Sequence, residues 1–172
     1  YGLVFRPSTF SPDQSYPVVS HVYNSPDLTW VSKGSFTNGA VYGMPYLDAA
    51  ALAELGFIVV QIDGRGTPLR HKAFLDNCYG WTESASKIDD HIAGIKQLAK
   101  RYTYMDLNRV GITSHASGGM GVVSSLCRED GFYKVGVASM TYDSRYFPAG
   151  LWGERYEGLS GPTVSIPIQN SK

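Results

Sequence analysis

The run Val110-Gly111-Ile112-Thr113-Ser114-His115-Ala116-Ser117-Gly118-Gly119 has the build of a nucleophile elbow, in which a strand ends in a sharp turn and a helix follows at once. In the G-x-S-x-G form of that turn the central serine stands at the tip above the sheet, and the next backbone amide is aimed where an oxyanion develops. That is the geometry of acyl transfer. Strand and helix approach closely only if very small residues flank the tip, and Ser114 and Gly118 meet that need. The tip itself is Ala116, whose methyl group cannot attack a carbonyl. A second register, with Ser117 at the tip between His115 and Gly119, sets an imidazole where almost no bulk is tolerated, so the register centred on Ala116 is the better fit. The same run also suits an ordinary strand, glycine-rich turn and helix with no chemistry.

The elements needed to hold such a turn are legible around it. Arg109 to Thr113, after the polar turn Tyr104-Met105-Asp106-Leu107-Asn108, reads as a buried strand, and Gly118 to Leu126 as a helix. Upstream, Gly2 to Phe5 and Pro17 to Tyr23 are strand candidates, the second following the turn Ser11-Pro12-Asp13-Gln14. Residues 24–45 form a loop rich in Gly, Ser, Asn and Pro, and Tyr46 to Leu55 is an alanine-rich helix stopped by Gly56. Phe57-Ile58-Val59-Val60-Gln61-Ile62 is the clearest strand. It is broken by Asp63-Gly64-Arg65-Gly66-Thr67-Pro68, and an irregular stretch runs to about Glu83. Ile88, Ile92, Ile95, Leu98, Ala99 and Tyr102 recur at helical spacing, which predicts a long amphipathic helix that Ser84 or Ser86 could cap. Tyr133 to Ala138 is a last strand. Alternation of this kind implies a mostly parallel sheet with helices on both faces and function at the carboxyl ends of its strands.

Composition narrows the class of protein. A chain of 172 residues that is 43% hydrophobic can bury one core, and nothing in it suggests two domains. Fifteen basic and fifteen acidic residues cancel, so no global field recruits nucleic acid or an anionic membrane. No apolar run approaches the ~20 residues of a membrane span and no targeting segment opens the chain, so a soluble domain of unassigned compartment is expected. Cys78 and Cys127 are the two cysteines, both expected to be free thiols, with Cys127 on a helix. His21, His71 and His91 share no ligand spacing, so neither a metal site nor a cofactor is expected. Asp63 and Arg65 read as loop-tying charges, Asp89 and Asp90 as a solvated helix face or a structural salt bridge, and His115 as a packed or solvent-facing imidazole.

Taken in order, Tyr16-Pro17-Val18-Val19 with His21-Val22-Tyr23, Gly56-Phe57-Ile58-Val59-Val60 with Asp63-Gly64-Arg65-Gly66-Thr67-Pro68, Lys72-Ala73-Phe74, Tyr104-Met105-Asp106, Arg109-Val110-Gly111-Ile112, His115 and Gly118-Gly119, and Trp152-Gly153-Glu154-Arg155-Tyr156 resemble the prolyl oligopeptidase superfamily. Within it, the dipeptidyl peptidase IV-like serine peptidases are the nearest branch. The resemblance implies an α/β-hydrolase catalytic domain, here a single partial domain over residues 1–172 that is incomplete at its C-terminal end. It places Ala116 on the nucleophilic serine, Ser114 on the preceding glycine, and Ser117 on the residue whose backbone amide helps bind the oxyanion. Tyr23 falls on the tyrosine that supplies the second oxyanion donor, although Asn24-Ser25-Pro26 departs from what usually follows. Tyr146 and Trp152 fall near aromatic residues of the substrate pocket, and Glu154 and Tyr156 match its Glu-Arg-Tyr run.

In this fold the chain order is nucleophile, acid, histidine, yet residues 117–172 contain no histidine, and their aspartates, Asp130 and Asp143, come too early. Nucleophile and base are therefore both missing from the chain as written. The expected function is that of a dipeptidyl peptidase-like domain inactive at its elbow, a pseudopeptidase or a binding or assembly module. An active serine peptidase inactivated by a single change at position 116, or an esterase of the same fold, are the alternatives. The expected partners are a peptide substrate or ligand and either the rest of its own protein or another chain, with neither nucleic acid nor membrane among them.

Overall fold

Five strands form one sheet in the order β1-β3-β2-β4-β5: β1 (Gly2–Phe5), β2 (Tyr16–His21), β3 (Ile58–Ile62), β4 (Met105–His115) and β5 (Val135–Ser139). The computed structural model describes residues 1–23, 25–31, 44–79, 88–139, 154–156 and 158. β1 pairs antiparallel with β3, and every other neighbouring pair in the sheet is parallel. Parallel neighbours need crossovers, and helices supply them: α1 (Met44–Glu54) leads into β3, α3 (Ile88–Arg101) into β4 and α4 (Gly119–Leu126) towards β5. A short α2 (Lys72–Leu75) and a 3-10 turn (Asp76–Cys78) lie within the stretch expected to be irregular. Among the described residues no helix is long and apolar enough to cross a membrane.

The two-residue alternation of the strands divides their side chains between two cores. Val18, Ile58, Val60, Val110 and Ile112 pack with Ile92 and Ile95 of α3 and Val122 of α4. On the opposite face Val59 packs with Phe5 and with Ala49 and Ala53 of α1. Alanines let α1 lie close to the sheet, and Gly56, at φ +95, turns the chain out of the helix and into β3 in a conformation that side chains disfavour. The face of β4 and β5 on the α1 side is different: Val135 and Val137 are 65% and 64% exposed.

Several boundaries move from their sequence-based positions. β4 begins at Met105, inside the segment read as a polar turn, because Tyr16 and Pro17 of β2 pair with Met105 and Asp106 and a register shift after Pro17 carries the ladder on to Val110. Burial of Met105 favours the longer strand. Cys127 lies one residue beyond the end of α4 rather than within it, while Cys78 is buried, its thiol donating to the carbonyl of Leu75. The proposed caps Ser84 and Ser86 lie outside the described residues.

The ionic residues mostly fasten elements together. Asp90 accepts hydrogen bonds from the backbone and guanidinium of Arg65, at 2.7–3.1 Å, so α3 holds the loop after β3. Burial works against the Asp90 carboxylate, but the hydrogen bonds and charge of Arg65 outweigh it and hold its pKa below the usual value. Asp89 pairs with Arg128, which also pairs with Asp130, tying α3 to the segment after α4.

His91 sits on the buried side of α3, and among the described residues neither ring nitrogen has a hydrogen-bond partner. Desolvation lowers its pKa from 6.5 to about 4, against the pull of the Asp90 and Asp63 carboxylates. His21 is lowered to about 4 by the same cause, opposed by Asp48. In both cases the unfolded chain takes up a proton that the folded chain refuses. Stability should be fully present above pH ~6.5 and fall as pH drops from there towards about 4, where folded His91 and His21 also become protonated. The loss should be on the order of a few kcal/mol. Urea midpoints measured from pH 7 to pH 4 check this, and His91→Leu should flatten the slope.

Candidate active site

The strand, sharp turn and helix of an elbow stand at the carboxyl end of β4, with Ala116 at the tip. The strand runs to His115, Ala116 begins a 3-10 turn (Ala116–Gly118), and α4 starts at Gly119. Ala116 has φ +52, one of two positive-φ non-glycine residues among those described. Its half-buried methyl group therefore stands at a left-handed bend, a conformation costing roughly 1–2 kcal/mol for an L-residue.

Close packing beside the tip explains its flanks. A Cβ at Gly118 would lie 1.9 Å from Ser114 Oγ and 3.3 Å from Tyr23 Cα, so position 118 admits only glycine without rearrangement. Ser114 is buried and its hydroxyl donates 2.6 Å to the carbonyl of Val22. That bond links the elbow directly to the end of β2. Tyr23 stands at the same edge of the sheet because β2 and β4 are paired parallel, His21 opposite Thr113. Ser117 lies in the 3-10 turn immediately after the tip, where the elbow places the residue whose amide serves an oxyanion.

A cavity of about 700 Å³ opens at this edge. β2 and its following loop contribute His21, Tyr23 and Trp30; α1 contributes Asp48, Leu52 and Leu55; β4 and β5 contribute Thr113, Ser114, His115 and Ser139. Tyr23 and Trp30 stack with centroids 4.8 Å apart and planes at 17°, and His21 meets Trp30 edge-on at 5.1 Å. The aromatic wall is held from beneath: Asp63 Oδ1 accepts the backbone amides of Trp30 (2.8 Å) and Val31 (2.9 Å). Gln61 Nε2 donates to Pro45 O at 2.7 Å and lies 3.0 Å from His21 Nδ1. Gln61 near the end of β3 and Asp63 just beyond it thus fix the walls from a neighbouring strand.

Tyr23 and the elbow stand at one rim of the sheet. Tyr146 and Trp152 lie outside the described residues. Glu154 is exposed in a helical turn at 154–156, and the Arg155 guanidinium lies 5.2 Å from the half-buried Tyr156 ring. Neither Glu154 nor Tyr156 is among the described residues that line the cavity. Sequence reasoning did not single out Trp30, Gln61 or Ser139. Gln61 carried a signal, since an amide inside the apolar run 57–62 must find partners when buried.

A strand, a left-handed tip and a helix beside a cavity at the carboxyl edge of a parallel sheet define an α/β-hydrolase. The family description "prolyl oligopeptidase family" matches residues 45–163, more than half of the sequence, and the chain belongs to that family. Its relatives include dipeptidyl peptidases. It is 31% identical over 158 residues to human dipeptidyl peptidase 8, covering 92% of this chain and 17% of that protein. It is 26% identical over 160 residues to venom dipeptidyl peptidase 4 of Apis mellifera, covering 92% of this chain and 20% of the relative. A solved structure of a candidate dipeptidyl aminopeptidase IV from Bacteroides ovatus superposes with a TM-score of 0.64 at 24% identity, over 91% of this chain and 21% of that one, and so shares the fold. The chain thus spans about a fifth or less of the length of these relatives.

Strain at the tip has a measurable sign. Ala116→Gly should stabilise the domain by about 0.5–1 kcal/mol, because relief of the left-handed penalty exceeds the added freedom of the unfolded chain. An unstrained alanine would give the opposite sign in urea unfolding. Gly118→Ala should cost about 1–3 kcal/mol, and Ser114→Gly in the same molecule should recover part of that cost by removing the hydroxyl it strikes.

Proposed function

We propose that this dipeptidyl peptidase-like domain is a pseudopeptidase at its elbow: it binds the N-terminal part of a peptide in the cavity beside Tyr23 and Trp30 and does not cleave it through position 116. One observation carries the reading. The left-handed tip at φ +52 persists although its occupant is alanine, so the strained architecture is kept without the group it ordinarily presents.

Chemistry and packing support it in different ways. A methyl group cannot form an acyl-enzyme, and oxyanion donors without a nucleophile leave roughly a thousandfold acceleration over water, far below a working peptidase. Binding does not depend on the missing hydroxyl. The stacked pair Tyr23 and Trp30, with Leu52 and Leu55 opposite, offers apolar and aromatic surface, and Asp48 supplies a carboxylate to the same cavity. These are groups suited to an apolar side chain and a free ammonium. That the relatives are named dipeptidyl peptidases supports a peptide as the ligand.

A single serine-to-alanine change would leave positions 114 and 117 unexplained. Ser114 is built into the packing of the elbow through its bond to Val22 and its contact with Gly118, which a change at the tip does not require.

The test uses the full-length protein and a dipeptide p-nitroanilide with proline or alanine in the second position. Neither the wild-type protein nor Ala116→Ser should hydrolyse it above buffer, while calorimetry with an unlabelled peptide of the same N-terminal sequence should show binding that Trp30→Ala weakens about tenfold or more. Brisk cleavage by Ala116→Ser would overturn the reading and leave an active peptidase altered at one position.

A further inference from the structure

We propose that Ser139 and His115 form a second nucleophile–base pair at the mouth of the same cavity, able to carry acyl transfer from carboxylic esters with apolar acyl groups. This goes beyond the reading of position 116 and uses none of the elbow's own side chains at the tip.

Strand register makes the pair. β4 and β5 run parallel with His115 directly opposite Ser139, each the last residue of its strand, so both side chains leave the same face of the sheet at its carboxyl edge. His115 Nδ1 and Ser139 Oγ are 3.0 Å apart, within the range from which an imidazole takes a hydroxyl proton. Both residues are exposed, so burial does not demand this bond. Both also line the cavity of about 700 Å³, with Leu52, Leu55 and Trp30 among its apolar walls.

The chemistry balances with water as the only co-reactant. With its proton on Nε2, His115 accepts the Ser139 hydroxyl proton at Nδ1 as Oγ attacks the ester carbonyl carbon and the π electrons move onto oxygen. Collapse of the tetrahedral species breaks the bond to the leaving oxygen, which takes the proton from His115 and departs as an alcohol or phenol. Acyl-Ser139 remains. Water then attacks it, giving its proton to His115, and the carboxylic acid leaves as Ser139 regains its hydrogen. Esters fit the pair better than amides, since their leaving oxygen needs little help from an acid whereas an amine must be protonated to depart.

The probe is an alkyl fluorophosphonate, from which an activated serine displaces fluoride as its proton passes to the base. The full-length protein should be labelled on the peptide containing Ser139 and should hydrolyse p-nitrophenyl butyrate. Ser139→Ala should abolish labelling at that peptide, and His115→Ala should reduce both labelling and hydrolysis by about a hundredfold. Thermal unfolding of each variant shows that the fold is intact, as expected for exposed positions. Ser139→Cys should retain a nucleophile that iodoacetamide alkylates faster when His115 is present than in the double variant with His115→Ala. Labelling on another serine, no labelling at all, or labelling indifferent to His115→Ala would each overturn the proposal. Peptide binding is read separately, by calorimetry on the protein with Ser139 intact and on Trp30→Ala, so failure of the Ser139 labelling and failure of the pseudopeptidase reading are told apart.

Discussion

The parallel pairing of β2 with β4 is the constraint on which the site rests. It sets Thr113 opposite His21, so the chain leaves both strands at the same edge and the elbow meets Tyr23 there. The junction is locked by the buried hydroxyl of Ser114 on Val22 O and by the absence of a side chain at Gly118. Losing such a buried hydrogen bond costs about 1–3 kcal/mol, enough to matter in a domain whose net stability is only several times larger. The same lock holds Ala116 in a conformation that an isolated alanine avoids. Strain of this kind persists only where the surroundings over-determine the backbone, and here a strand, a helix start and a neighbouring strand end all converge on it.

Polar burial beneath the cavity follows the same logic. Asp63 gathers two amides of the loop after β2, and Gln61 reaches both Pro45 and His21, so the end of β3 fixes a loop and a helix start that are far from it in sequence. Each bond answers a group that would otherwise be costly to bury. The cavity walls are consequently tied to the sheet through hydrogen bonds, and the aromatic stack of Tyr23 on Trp30 is presented by a fastened loop. His91 is the counterexample, a buried imidazole without partners among the described residues, tolerated because it remains neutral near pH 7.

Membership of the prolyl oligopeptidase family and an alanine at the tip pull in different directions, and the structure separates what each controls. Family likeness concerns the sheet, the crossovers and the elbow backbone. The chemistry at one position depends on one side chain. An elbow can keep its shape with alanine because the fold pays in backbone strain for the position and not for the hydroxyl. Meanwhile the ends of β4 and β5 bring a serine and a histidine together a short distance along the same edge, through register alone.

Alternating apolar strands and the stripe of α3 were legible in the sequence, because two-residue and 3.6-residue periodicities are local properties. The elbow was legible too, since small flanks around a sharp turn are a steric demand that residue size reveals. Ser114 was readable only as a small residue, and its hydrogen bond to Val22 was hidden because the partner is 92 positions away. The start of β4 was misplaced for a related reason: Asp106 and Asn108 look like a turn until Tyr16 and Pro17 of another strand arrive to pair. Trp30 joined the cavity through Asp63, and Ser139 met His115 through β5, by contacts that no local pattern encodes. By itself the sequence determined the elements, the steric form of the tip and the alanine that stands there. Only the tertiary structure decided which distant side chains stand at that edge, because strand order and register, not spacing along the chain, choose neighbours in a sheet.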